Sequence, residues 1–567
     1  MFYAIQNHMT EWSYRSGTAY DDPFNDVELD VVITAPDGHA SRVPAFWAGE
    51  GTWRVRYASP QVGLHRFVTA CSVTSDEALH GQEGAVAVRP YAGDQPLYTH
   101  GPLRVAADGR HLRHADGTPF FWLGDTWWMG LCERLRWPHD VRTLTADRAA
   151  KGFTVAQIVA GLYPDMPAFD PRGANEGGFP WEAGYARINP AYFDAADLRL
   201  AWIVDAGLVP CLVGAWGYFA RWMGVERMKR HWRYLIARYG AYPVVWCLAG
   251  EATMPYYLTK DRDGDVAFQR QAWTEVAAYV RETDPYHHPV TIHPTSPASA
   301  RDQLANPALL DLDLLQTGHS DRDSLPATIE RVRDSVAATP PLPVINSEVC
   351  YEGILGENRQ EIQRLMFWSC VLSGAAGHTY GANGLWQVNT RERPYGPSPH
   401  GSSWGDTPWE EAYQLPGAAQ IALGKRLLER YPWWRFEPHQ EWVSVRGGTV
   451  DYVHQLYAAG ISGKVRVVYL PWNAAVAASR YSIAGLETGH AYQASFVNPA
   501  TGREYPCGTA RADEAGEWPI PRPPIFQDWV LVLDRPTAVD VGGAGISGAD
   551  KVPHVKHDAE LIADDPA

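Results

Sequence analysis

The chain has 567 residues, 46% of them hydrophobic and 20% charged, with a formal net charge of −16. That length exceeds what one hydrophobic core serves, so two to four domains are expected. The acidic balance, with no Lys/Arg run, argues against nucleic acid or an anionic membrane as partner.

No apolar stretch approaches the ~20 residues that span a bilayer. The start, "MFYAIQNHMTEWSY", has neither the basic nor the apolar region of a signal peptide. Seven cysteines without a CxxC fit buried free thiols in a reducing compartment. These features point to the cytoplasm and to no membrane contact. With 24 Trp and 28 Tyr the chain is rich in aromatics, which suits either large cores or platforms that stack on sugar rings.

Taken in chain order, residues 1–98 hold short alternating runs such as "VELDVVITAPDG" and "GTWRVRYASPQVGLHRFVTACSV". Pro, Gly and Asp separate them, which predicts an Ig-like antiparallel β-sandwich. From 101 to 432, strand-like runs alternate with helix-length amphipathic segments. The runs are "FFWLGDTWW", "FTVAQIVAG", "LVPCLVGAW", "VVWCLAGE", "HPVTIHPT", "LDLLQTGHS", "PVINSEVCYEG" and "AAGHTYGANGLW". Between two of them Leu325, Ile329, Val332 and Val336 fall on one helical face. Eight β-then-α units predict a (β/α)8 TIM barrel. No strand opens into a Gly-rich phosphate loop, so no nucleotide cofactor is expected, nor any other. Residues 433–535 return to hairpin-like strands and predict a second, C-terminal antiparallel β-sandwich. Residues 536–567 are expected to be a disordered tail. The fold class is thus multidomain, a TIM barrel flanked by two β-sandwiches.

In such a barrel the carboxyl ends of the strands meet the substrate. The residues at these ends are Asp125, Gln157, Trp216, Glu251, His293, His319 with Gln316, Glu348, and Tyr380 with Asn383 and Trp386; Trp127 adjoins the first. Two are Glu, at the ends of the fourth and seventh strands. Glycoside hydrolysis needs two carboxyl groups, one protonated and one ionised. Glu251 follows an apolar run that would raise its pKa, whereas Glu348 follows Asn346 and Ser347, which could hold it ionised. Glu352 competes for the nucleophile's role. The other ends are candidates for binding sugar hydroxyls or stacking on rings, with His293 and His319 also able to orient Glu348. The aromatic- and Gly-rich insertion from Leu162 to Pro190 is expected to form a pocket wall.

"DGTPFFWLGDTWW", "GEATMPYY", "INSEVCYEG" and "GHTYGANGLW" resemble the signature blocks of apiosidase-like barrel proteins grouped around glycoside hydrolase family 140. The C-terminal β-domain resembles that family's collagen-binding-type domain. The resemblance implies a retaining, exo-acting glycosidase that releases a terminal sugar, a furanose among the options, from a small glycoside or oligosaccharide. It places the catalytic carboxylates at Glu251 and Glu348. Relatives carry Asp at the acid/base position, or Asn just before it, where this chain has Glu251 and Gly250; both differences point away from apiose itself. The remaining readings are a metal-dependent barrel hydrolase using His293, His319, His378 and Asp125, and a non-catalytic carbohydrate-binding protein. The expected partner is a carbohydrate, with no metal site assigned. A homo-oligomer is compatible with the sequence.

Overall fold

The computed structural model describes residues 1–445 and 455–535. Part of the strand expected at the start of the C-terminal sandwich, residues 446–454, and the tail expected to be disordered, residues 536–567, lie outside the described residues.

Eight parallel strands build the centre: β1 Trp122–Thr126, β2 Val155–Val159, β3 Val209–Val213, β4 Val245–Cys247, β5 Val290–Thr291, β6 Asp313–Gln316, β7 Val344–Glu348 and β8 Gly377–Tyr380. Each coincides with one of the eight runs read from the sequence. Every residue in them is buried, as continuous apolar runs covered on both faces require. The sheet order is β5-β4-β3-β2-β1-β8-β7-β6, with Ala298–Ser299 added antiparallel to β6. The sheet curls so that its β5 and β6 edges meet. Asp311 N donates to Val290 O at 2.8 Å, and Thr291 Oγ1 donates to Leu312 O at 3.0 Å.

The longer helices are α1 His139–Lys151, α2 Pro190–Asp205, α3 Val225–Tyr239, α4 Arg262–Thr283, α5 Leu325–Ala337, α6 Gln360–Val371 and α7 Pro416–Leu428. In α5 three residues of the expected face, Leu325, Ile329 and Val332, are buried, and the fourth, Val336, is half-buried. One expected unit is incomplete: only the 3-10 turns Ala300–Gln303 and Pro307–Leu309 link β5 to β6. Among the described residues, no helix is long and apolar enough to cross a membrane.

Before the central sheet, Phe2–Ile5, Glu83–Arg89, Gly63–Cys71, Leu29–Thr34 and Ala40–Pro44 form a five-stranded sheet in that order. Thr10–Arg15, Thr52–Tyr57 and Phe46–Trp47 form a three-stranded one. Trp12 of the second stacks on Phe67 of the first at 5.3 Å. Arg56 reaches from here to Arg238 O at 2.9 Å and pairs with Asp197, tying this region to α3 and α2. After α7, a six-stranded and a three-stranded sheet share a cluster that includes Trp442, Phe496 and Trp529. Arg364 of α6 holds that region through Asp528 at 2.8 Å.

Beneath the central sheet's mouth, Asp125 and Arg148 of α1 are both wholly buried and paired at 2.5 Å. Asp125 also accepts from Trp127 Nε1 at 2.7 Å and from Thr126 N at 2.9 Å. Removing one partner of a buried pair leaves an uncompensated charge. Arg148→Met is therefore expected to destabilise the protein by about 3–5 kcal/mol, read as a lower urea midpoint.

Candidate active site

Glu251 lies just beyond β4, where the ladder runs on irregularly. Gly250 N donates to Ala215 O at 2.9 Å, Gly217 N to Gly250 O at 2.7 Å, and Ala252 N to His293 O at 3.1 Å. Clamped from both sides, Glu251 adopts a left-handed φ of 41°, a conformation that costs a non-glycine residue about 1–3 kcal/mol. Gly250 has a packing reason. A Cβ there would come within 2.2 Å of the Trp216 ring. Only glycine lets that ring lie across the backbone and bring Nε1 to Glu251 Oε2 at 3.2 Å.

Glu348 ends β7 in ordinary strand geometry and is almost wholly buried. Its Oε1 accepts from His319 Nε2 and from Gln316 Nε2, both at 2.9 Å, and His293 Nε2 lies 3.3 Å from Oε2. A carboxylate only accepts, so His319 carries its proton on Nε2. Gln316 stands at an irregularity of β6, where the pairing with β7 shifts register and re-aims the side chain. Its single Nε2 also reaches Glu251 Oε1 at 3.3 Å. Since 2.9 and 3.3 Å meet at one nitrogen, the two Oε1 atoms are at most about 6.2 Å apart.

The two carboxyl groups are driven in opposite directions. Burial and then the charge of Glu348 push Glu251 up to about 7, against the weaker pull of His293, Gln316 and Trp216. Burial alone would raise Glu348 too, but its bonds from His293 and His319 overcome that and hold it well below the usual carboxylate range. The arrangement therefore keeps one proton donor beside one anion at neutral pH.

Both open into a cavity of about 180 Å³ walled by Trp128, Asp165, Trp216, Tyr257, Gln316, His319, Tyr351, Trp386 and Trp404. Trp128 Nε1 donates to Tyr351 OH at 2.9 Å. The Tyr351 ring stacks between His319, at 4.6 Å, and Trp386, at 6.2 Å. Of the residues expected at the site, Trp216, Glu251, Gln316, His319, Glu348 and Trp386 line this cavity, and His293 supports Glu348 from behind.

Five do not, and strand alternation explains most of them. Asp125 faces α1 and is saturated by Arg148, Trp127 and Thr126. Trp127 is turned to Asp125, so its neighbour Trp128 takes the cavity wall. Tyr380 points the same way as Asp125 and donates to Glu352. Gln157 points inside the sheet but lies too deep, donating to Ser347 O and accepting from Thr379. Asn383 is buried below the mouth near Gly405. Glu352, the competitor for nucleophile, accepts from Gly417 N and pins the start of α7. Nor do the proposed metal donors converge: Asp125 is tied to Arg148, and His378 sits against Phe367 of α6. Among the described residues no group of three or more His, Cys, Asp or Glu is placed to hold a metal ion.

Sequence reading missed Trp128, Asp165, Tyr257, Tyr351 and Trp404. Tyr351 carried a usable signal, lying three residues past Glu348. Asp165 comes from the insertion expected to form a wall, but nothing in its neighbourhood marked it. Tyr257 and Trp404 reach the cavity from loops whose course only packing sets.

The family model for the apiosidase-like catalytic domain matches residues 106–435, more than half of the chain, and a domain of unknown function, DUF5060, matches 5–72. No curated protein matches. Among solved structures, a glycoside hydrolase is 22% identical, with a TM-score of 0.65 over 78% of this chain and 99% of its own. A family 5 glycoside hydrolase from Bacteroides vulgatus is 22% identical, at 0.64 over 78% and 96%. A further Bacteroides vulgatus structure, 17% identical, reaches 0.66 over 94% of this chain and 100% of its own. At these identities the likenesses speak for a shared, TIM-barrel-like fold, and the family match goes further: the chain belongs to the apiosidase-like catalytic-domain family and is a glycosidase.

Proposed function

We propose that this glycosidase is retaining and exo-acting, releasing a terminal sugar, with furanosides the first class to test, from a small glycoside or oligosaccharide. In the same reading the curled sheet is a (β/α)8 barrel closed at the β5–β6 seam, set between two β-sandwich domains at about 1–98 and 433–535. The observation that carries the mechanism is the amide of Gln316 shared by both carboxyl groups. Retaining enzymes hold these groups about 5–5.5 Å apart and inverting ones about 6.5–9.5 Å, to admit a water. A limit of about 6.2 Å between the two Oε1 atoms favours the retaining geometry.

Glu348 attacks the anomeric carbon while Glu251 gives its proton to the departing oxygen. The resulting ester removes the Glu348 charge, and with it one of the two causes that raise Glu251. Glu251 then becomes the stronger acid and the available base, able to take a proton from the water that frees the sugar. The aromatic walls supply faces for the sugar ring. The small cavity and the loop residues closing over it support the exo-acting reading.

Several outcomes test this. On a nitrophenyl furanoside or pyranoside that the protein cleaves, Glu348→Gln is expected to lower kcat/KM by about 10³-fold or more. Glu251→Gln should cost about 10²–10⁴-fold with a poor leaving group and much less in the first step with nitrophenolate, which needs no proton. Undiminished hydrolysis by Glu348→Gln would sink the assignment. With a poor leaving group the acid must hold its proton, so on an alkyl glycoside kcat/KM should fall as pH rises through about 7 and stay level on the acidic side. A pH–rate profile that rises above 7 would contradict it. Gly250→Ala should displace Trp216 and reduce turnover.

A further inference from the structure

Asp165 lines the same cavity and is 2% exposed. Neither of its carboxyl oxygens takes part in a hydrogen bond, and its backbone is left-handed, with φ 60°. By contrast, Asp125 has three donors, Glu352 has Tyr380 and Gly417, and Glu348 has two on its Oε1. Near Asp165, the Arg172 guanidinium is held by Asp170 at 2.8 Å, and the Ser398 hydroxyl accepts from Trp404 Nε1 at 3.0 Å while keeping its own proton. The hydroxyls of Ser398 and Tyr257 are near enough to offset part of the burial that raises its pKa, but neither makes hydrogen-bond geometry with it. Trp386, another wall of this cavity, likewise has its Nε1 buried without a partner. Unpaired buried polar groups are costly, and those that persist mark sites completed by something else.

An unpaired pair of acceptors and an unpaired donor around one small cavity are the complement of sugar hydroxyls, which both donate and accept. We propose that Asp165 binds two neighbouring hydroxyls of the glycoside seated beside Glu251, with Trp386 Nε1 donating to another, and that this selects neutral sugars bearing a vicinal diol. The inference rests on the glycosidase reading of this cavity. Sugars carrying a carboxylate, sulfate or phosphate are excluded, because a further anion would be buried beside Asp165 and the ionised Glu348.

The test is Asp165→Asn, since Asn accepts a left-handed backbone and keeps the volume. The carboxyl has no partner in the free protein, so the variant's thermal midpoint should rise, by about 2 °C. On the neutral nitrophenyl glycoside that the wild type cleaves best, kcat/KM should fall about 10- to 100-fold, chiefly through KM. The preference for that substrate over its nitrophenyl uronide should narrow at least about tenfold. Glu348→Gln is measured in parallel. If it remains active, the glycosidase assignment fails; if it is dead while Asp165→Asn matches the wild type, only the role of Asp165 fails. A midpoint that falls or stays put would also overturn the proposal.

Discussion

Two carboxyl groups share one amide nitrogen in a buried pocket, and most of the site follows from making that arrangement tolerable. At ~6 Å and an effective dielectric of about 20, two such anions repel by about 3 kcal/mol, or about two pKa units. Burial adds a larger penalty to each. The chain resolves the conflict by unequal support rather than by separation. Glu348 receives His319, Gln316 and the nearby His293, whereas Glu251 receives one indole and a longer bond from the same glutamine. The proton therefore settles on Glu251. The same imbalance that stabilises the pair leaves one carboxyl group protonated beside one ionised.

Aromatic side chains enclose this pair, and glycine makes room for them. The Trp216 ring lies on Gly250, and a Cβ at Gly381 would come within 2.1 Å of the Tyr351 ring. Both glycines sit just past strand ends, where the backbone must approach a wall of the cavity closely. Gly250 is thus a packing requirement imposed by Trp216, the residue that also hydrogen-bonds Glu251. Many of the 24 tryptophans serve one of the two uses open to them. Trp53, Trp122, Trp127, Trp181, Trp232, Trp246, Trp273, Trp368 and Trp529 are deep core, while Trp128, Trp216, Trp386 and Trp404 line the cavity.

Support from below is equally specific. The Asp125–Arg148 pair, with Tyr380 and Glu352 nearby, locks β1 and β8 to α1 and α7. These residues stand at strand ends and carry polar groups, so by type alone they match a binding site. Their role is to hold the strands that present the cavity. Asp165 is the reverse case: a loop residue with no motif around it, yet the one buried carboxyl on the cavity wall that lacks a hydrogen bond.

The eight strands, the helical faces and the two glutamates were legible in the sequence, because each depends on local order. Buried parallel strands read as apolar runs, helices as a 3.6-residue period, and Glu251 and Glu348 as charges where such runs stop. Only the tertiary structure decided which side of each strand a residue faces at the mouth, since a step of one position moves a side chain from cavity to helix layer. That step separates Trp128 from Trp127. The coupling through Gln316, the missing helix between β5 and β6, and the loops carrying Asp165, Tyr257 and Trp404 were likewise settled by contacts distant in sequence, which leave no local period to read.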